Sequence, residues 1–327
     1  MAGVLVFATG GTIGMHETDR GLAPDPDFPD ILEEIVASIC GPMGVEHRVN
    51  QLLPAIDSAN AEADTAPRIA RAVRARVRTQ RPRGVVITHG TDTLAYSAAR
   101  FAFDLADLGA PVIVTGSQLA HGAIGTDAFD NLSLALRTAV RASSAAPVSI
   151  AFGGALLPAV RATKHDSSAF QAFRAERALA QGAAGVPVAH GSPRATSARV
   201  LGFRFTPAVT AADLRAAVGG APDGLVLECY GSGTAPMARP GMLGALREVC
   251  SRIPVVAITQ SANGGVDLDR YAVGRELAAT GTIDGSDLTV EAAIAKLGFL
   301  LDRGCDSAEI RTLMQTNLVG ECVGAAR

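Results

Sequence analysis

The sequence predicts an α/β protein built as two parallel-sheet domains, a larger N-terminal one and a smaller C-terminal one, and three observations carry that prediction. Its 327 residues are long for one compact core and comfortable for two. Short apolar, β-branched runs recur with helical patterns between them, at Val4 to Ala8, Gly84 to Thr88, Pro111 to Thr115, Val148 to Phe152, Gly224 to Cys229 and Pro254 to Thr259. That alternation is the sequence form of βαβ units, with helices on both faces of each sheet. Hydrophobic residues make up 48% of the chain, yet aromatics are only 4% and Trp is absent, so the core is expected to be Ala, Val, Leu and Ile, as under parallel sheets.

Residues 1–190 hold four of the apolar runs and form the expected first domain. From Gly182 to Thr210 the chain is rich in Gly, Pro, Ser and Thr without helical periodicity, which suits hairpins and a linker, placed at 191–215. Residues 216–327 form the second domain. In and beside it Ala211 to Val218 reads as a helix, Gly224 to Tyr230 as a buried strand and Val290 to Asp302 as an amphipathic helix.

Charge and cysteine usage narrow the function classes. Net charge is −3, and the arginines at 68, 71, 74, 76, 78, 81 and 83 are offset elsewhere. Arg68, Arg71, Arg74 and Arg78 share one helix face, the pattern of a solvated surface, so no nucleic-acid partner is expected. Five well-separated cysteines, an odd number, argue against a disulfide framework or a zinc site and for reduced thiols. The N-terminus has no basic leader, the run Val4 to Ala8 is of strand length, and no segment approaches 18 uninterrupted apolar residues. The expectation is a soluble cytoplasmic protein with no membrane partner.

Three of the predicted strands end in glycine and hydroxyl residues: Thr9-Gly10-Gly11-Thr12, His89-Gly90-Thr91-Asp92 and Thr115-Gly116-Ser117-Gln118. Ligands of open parallel sheets sit at the carboxyl ends of strands, so these turns are candidates for one shared pocket. Glycines after a strand let backbone approach a ligand and expose the Thr12 hydroxyl in a tight turn. The same glycines also read as a plain strand-end turn, or as a dinucleotide loop; the latter fits poorly, because Thr9 breaks the G-x-G-x-x-G frame and the residues after Gly14 read as a polar loop. A helix is expected to open at Asp92 or Thr93, so Asp92 reads as an N-cap, while the helix start also suits an anionic substrate group. Lys164, in Arg161-Ala162-Thr163-Lys164-His165, reads as a surface cation or, if buried beside a hydroxyl, as a proton acceptor.

Thr9 to Met15, Asp57-Ser58, His89 to Thr93, Thr115 to Gln118 and Lys164 resemble, in order and spacing, the bacterial L-asparaginases, especially the cytoplasmic type I branch. Tyr230 to Pro236, Thr259-Gln260 and Leu288 to Ala292 extend the resemblance over nearly the whole chain. It implies a flavodoxin-like N-terminal domain carrying most of the site, and an amidohydrolase that converts asparagine to aspartate and ammonia with no metal and no organic cofactor. It further implies Thr12 as primary nucleophile, with Thr91, Asp92 and Lys164 as a second triad. Asp57 and Ser58 fall in the substrate-carboxylate loop, Asp92 pairs with the substrate ammonium, and the Ser117 turn faces the amide. The implied partners are a small amino-acid amide and further copies of the chain, as a homodimer or homotetramer.

The departures from the family pattern are specific. Where the family commonly has Gly-Tyr on the loop beside the first threonine, this chain has Gly21-Leu22, and no tyrosine precedes Tyr96. Tyr96 is expected to be a packing residue of its helix. Thr234 stands where type I relatives have an asparagine that reaches a neighbouring subunit, and Gln260-Ser261 replaces the usual Gln-Cys of an allosteric site. Two alternatives stay open: an amidase for glutamine, a D-amino acid amide or a larger amide, and an amino-acid-binding pseudoenzyme.

Overall fold

The computed structural model describes residues 3–143, 145, 147–186 and 194–323, divided between one unit that ends at Ala175 and another that begins at Glu176. In the first unit the chain runs β1 (Val4–Gly10), a hairpin of β2 (Met15–Thr18) and β3 (Gly21–Pro24), α1 (Phe28–Cys40), β4 (His47–Ile56), α2 (Thr65–Gln80) and β5 (Gly84–Thr88). It continues with α3 (Leu94–Asp104), β6 (Val112–Thr115), α4 (Ala128–Arg141), β7 (Ser149–Phe152), β8 (Ala155–Pro158) and the short pair β9 (Thr163–Lys164) and β10 (Phe173–Arg174).

The main sheet has the order β4-β1-β5-β6-β7-β8, parallel except for β8. Counting only parallel strands, this is the 2-1-3-4-5 order of flavodoxin-like sheets. The apolar runs read from sequence are its inner strands, and they are continuous because both faces are covered. On one face Val4, Val6, Ala8, Val86, Ile113 and Ala151 pack with Phe28, Leu32 and Val36 of α1 and with Leu132, Ala135 and Leu136 of α4. Period-2 alternation turns Leu5, Phe7, Val85 and Ile87 to the other face, where they are equally buried.

Edge elements depart from the expectation. β4 carries Pro54 and a mixed burial pattern, so it has no apolar run to announce it. The polar residues after Gly14 form the β2–β3 hairpin rather than a loop, with His16 opposite Ala23 and Glu17 opposite Leu22.

The second unit holds β11 (Val200–Arg204), α5 (Ala211–Val218), β12 (Gly224–Cys229), α6 (Met242–Cys250), β13 (Val255–Thr259), α7 (Ala272–Ala278), β14 (Ile283–Asp284), α8 (Val290–Asp302) and α9 (Ser307–Met314). β11-β12-β13-β14 form a parallel sheet. Of the span expected as a linker, residues 191–193 lie outside the described ones, whereas β11 and the start of α5 already belong to this unit. A side-chain-bonded capping box, Thr210 with Asp213, starts α5.

Expected as amphipathic, α8 is buried from Glu291 to Ala293 and from Ala295 to Leu300. Its charged Lys296 marks no solvent face: Nζ lies 2.6 Å from Glu321 Oε1, and neither side chain is exposed. Nζ also donates to the carbonyls of Thr316 at 2.6 Å and Met314 at 3.1 Å. Glu321 accepts from the amides of Leu318 and Val319. The pair clips the segment after α9 onto α8. Among the described residues no helix is long and apolar enough to cross a membrane, and all five cysteines are free.

Removing one partner of such a pair leaves a buried uncompensated charge. Lys296→Met is therefore expected to cost about 3–5 kcal/mol in urea unfolding of this unit. Adding Glu321→Gln to that variant should recover much of the loss, since the amide oxygen still accepts a backbone N–H without a charge.

Candidate active site

Parallel pairing puts the ends of β1, β4, β5 and β6 on one edge of the sheet. Gly10 pairs with Ile56, and the Gly11 amide donates to the Ile56 carbonyl at 3.2 Å. Gly11 has φ +88°, and a Cβ there would overlap the Cα and N of Gly90. A Cβ on Gly90 would in turn overlap the Ser58 hydroxyl. Only glycine at both positions lets the turn after β5 lie against the backbone of the Gly11 turn on one side and the Ser58 side chain on the other. Thr93 fastens them, its hydroxyl donating to the Ser58 carbonyl at 2.9 Å, and the His89 amide donates to Thr115 O at 2.8 Å. The residues next to this contact are Thr12, Asp57 and Thr91, so the sequence candidates from three strand ends are brought together.

Lys164, on β9, completes the cluster. Its Nζ donates to Thr91 Oγ1 at 2.9 Å and to Asp92 Oδ1 at 2.8 Å. Thr91 is buried, Lys164 half-buried and Asp92 exposed. The helix expected to open at Asp92 or Thr93 has its first residue at Leu94, and its N-cap Thr93 makes no side-chain capping bond. With Thr93 engaged on Ser58, Asp92 is an ion-pair partner of Lys164 and not a cap.

Thr12 is half-buried at the start of the 3-10 turn Thr12–Gly14, held by the Gly14 amide on Gly11 O at 3.0 Å. Asp57 is exposed, accepting from the Ala59 amide at 3.2 Å and Asn60 Nδ2 at 3.0 Å, while Ser58 is buried. Ser117 is buried too, but its hydroxyl donates to the Leu119 carbonyl inside its own loop. Tyr96 lies on α3, partly exposed.

Sequence reasoning missed the group that holds the Ser117 turn. Asp127 accepts from the amides of Gln118 at 3.0 Å and Leu119 at 3.1 Å. Asn131, one helical turn on, donates to Asp127 Oδ2 at 2.9 Å and Gly116 O at 3.0 Å, and accepts from the Gly153 amide at 2.9 Å. The available signal was an Asp and an Asn four apart at a helix start, which share one face. Among the described residues, no group of three or more His, Cys, Asp or Glu is arranged to hold a metal ion.

His89 is fully buried behind this edge. Its Nδ1 lies 2.9 Å from the Gly90 carbonyl oxygen, an acceptor, so Nδ1 carries the proton. Burial pushes the imidazole below its usual value. Above about pH 6.5 the ring is neutral folded and unfolded, and the contribution to stability is intact. Below about pH 6.5 the unfolded chain takes up a proton that the folded one does not, so stability falls by up to about 1.4 kcal/mol per pH unit until the folded-state value is reached. Unfolding free energies at pH 7.5, 6 and 5 should show this loss in the native protein and a shallower one in His89→Gln.

Residues 3–192 match the family model for the N-terminal asparaginase domain, and residues 199–314 match that for the glutaminase/asparaginase C-terminal domain. The chain is 34% identical to the L-asparaginase of Thermococcus kodakarensis, covering 98% of this chain and 99% of the relative. It is 32% identical to L-asparaginase 1 of Escherichia coli, with 97% of each covered. The crystal structure of L-asparaginase I from Vibrio cholerae superposes with a TM-score of 0.82 at 27% identity, over 98% of this chain and 99% of that one. Two domain models in register over most of the sequence, and relatives similar from end to end, establish that this chain belongs to the asparaginase family.

Proposed function

We propose that the protein hydrolyses the side-chain amide of L-asparagine to L-aspartate and ammonia, with Thr12 as nucleophile and Thr91, Asp92 and Lys164 as the proton-handling triad. The observation that carries this reading is the pair of Lys164 Nζ contacts, 2.9 Å to the Thr91 hydroxyl and 2.8 Å to the Asp92 carboxylate, beside the turn that bears Thr12. The Thr12 oxygen adds to the amide carbon, and its proton must leave as the C–O bond forms, because a neutral hydroxyl is a weak nucleophile. Collapse of the tetrahedral intermediate expels ammonia with a proton and leaves an ester on Thr12. Water then cleaves the ester, releasing aspartate and returning the proton to Thr12. Lys164 as the neutral amine accepts a proton from Thr91, and Asp92 stabilises the ammonium that forms.

Substrate recognition follows the charges. Asp92, exposed at the edge, takes the α-ammonium together with its Lys164 contact; the Asp57-Ser58 turn offers hydroxyl and amide donors to the α-carboxylate; the Ser117 turn lies toward the amide. These groups supply proton transfer and binding without calling on a metal or organic cofactor. The resemblance to type I enzymes supports a cytoplasmic homodimer or homotetramer.

Leu22 favours a second reading within the same chemistry. It is half-exposed on β3, and a hydrocarbon there cannot share a proton with Thr12, which points to slow turnover of asparagine or to a different amide.

Ammonia release from asparagine, glutamine and their D-isomers tests the substrate. Thr91→Val and Lys164→Met are each expected to lower kcat on the preferred amide by about 10²- to 10⁴-fold, the usual worth of a general acid or base, while Thr12→Val, which removes the attacking oxygen, should abolish turnover. Undiminished turnover in Thr12→Val would defeat the assignment.

Leu22→Tyr should raise kcat if a phenol is what the hairpin lacks. If Glu17, the residue opposite Leu22, already serves, Leu22→Tyr changes little and Glu17→Gln is the damaging substitution.

A further inference from the structure

The loop after β6 returns to the turn that bears Thr12. His121, its side chain only 10% exposed, places Nδ1 3.2 Å from the Ile13 carbonyl oxygen and Nε2 3.5 Å from Asp25 Oδ2. Its ring lies 5.3 Å from that of Phe28, tilted by 41°. Asp25 is anchored in turn. Its amide donates to the Gly14 carbonyl at 2.9 Å, and its Oδ1 accepts from the Asp27 amide at 2.9 Å, where α1 begins. Its Oδ2 also faces His16 Nδ1 at 3.9 Å.

The two carbonyls that directly follow Thr12, those of Ile13 and Gly14, are thus held from outside the turn, one by the ring of His121 and the other by the backbone of Asp25. We propose that His121 and Asp25 are positioning residues for Thr12, forming a clamp that fixes the turn and hence the direction of the hydroxyl. This deepens, and depends on, the reading of Thr12 as nucleophile. With both carbonyls fixed, and the Thr12 carbonyl itself bonded by the Met15 amide, the backbone under Thr12 is held and χ1 alone sets where the hydroxyl points. The 3.5 Å to Asp25 is too long for an ordinary hydrogen bond, so the ring holds the turn through Nδ1 on Ile13, and Asp25 holds it through its backbone amide on Gly14. The clamp matters in this chain because Leu22 offers no polar group to hold Thr12 from the hairpin side. Phe28 packs one side of the ring, so His121 has little freedom to turn away from Ile13.

The two variants His121→Leu and His121→Asn separate positioning from mere packing. Leu fills the space without a donor. The Asn amide nitrogen occupies the place of Nδ1 and can still donate to Ile13. Displacing a reacting group by about 1 Å can cost up to about 100-fold, so His121→Leu should lower kcat by about 10- to 100-fold, with KM within about threefold because the Asp57-Ser58 turn and Asp92 are untouched. His121→Asn should stay within about threefold of native kcat, since it keeps the donor. Peptide-level hydrogen exchange should be faster over residues 11–25 in His121→Leu and unchanged over α2. Unchanged exchange over 11–25 overturns the clamp. Faster exchange with native kcat, a loss confined to KM, or Asn as poor as Leu overturns positioning. If the native protein releases ammonia from no amide, the functional reading fails by itself, and the exchange comparison alone decides whether the clamp exists.

Discussion

The contact of Gly11 with Gly90, and of Gly90 with the Ser58 hydroxyl, is the constraint on which the candidate site depends. A Cβ at Gly11 would meet the Gly90 backbone and wedge the turns after β1 and β5 apart, and one at Gly90 would press on the Ser58 side chain in the turn after β4. Because the strands are parallel, their turns share one edge, and because the glycines remove the side chains, that edge closes. Thr12 and Thr91 become neighbours as a result of being the next residue after a glycine in each turn. The polar bonds around them, Thr93 to Ser58 and Asp127 to Gln118 and Leu119, hold an arrangement that backbone packing has already made possible.

Charge is distributed over this edge in a way that packing alone does not require. Asp92 is left exposed and paired with Lys164 rather than used as a helix cap, while the buried end of the same segment, His89, is kept neutral by burial. The second unit shows the opposite arrangement. There Lys296 and Glu321 are both sealed from solvent, and their bonds go to backbone groups of the closing segment. One ion pair is open to solvent and the other is sealed from it, although each is a lysine on a carboxylate.

Legibility in the sequence follows burial. The inner strands β1, β5, β6, β7, β12 and β13 are continuous apolar runs because helices cover both faces, and each was readable as such. The edge strands β4, β11 and β14 and the hairpin β2–β3 were not, since an edge or exposed strand is half polar, and β14 is only Ile283–Asp284. The strand-end hydroxyls were readable because glycine flanks them, and glycine at a strand's end has few uses. Asp127, Asn131 and His121 were not: each bonds backbone atoms well away from it in sequence, and a residue whose partner is a carbonyl or an amide leaves no mark in the partner's identity. Asp25 was not either, because its carboxylate caps the neighbouring Asp27 amide, as many an Asp before a helix does, and its own amide makes the bond to Gly14. α8 misled for a related reason. Lys296 reads as a solvent-facing charge until Glu321, 25 residues away, is known to sit against it.

The two hydroxyls are not equivalent, and the direction of their hydrogen bonds says how. Lys164 donates to Thr91 Oγ1, so one lone pair of that oxygen is occupied by a cationic donor and its own proton must point elsewhere, away from Nζ. An oxygen in that state is a better proton donor than nucleophile, since the adjacent ammonium stabilises negative charge left on it. It becomes a nucleophile only if Lys164 first gives up a proton. Thr12 carries no such burden: its turn is fixed through the backbone carbonyls of Ile13 and Gly14, which leaves the hydroxyl oxygen free to meet a carbonyl carbon. Under the proposed chemistry, attack therefore belongs to Thr12, and Thr91 passes a proton to Lys164 only after Nζ has first given one up and can accept. Leu22 on the hairpin is a hydrocarbon and carries no proton, so under the same proposed chemistry the proton leaving Thr12 reaches that relay through substrate or water.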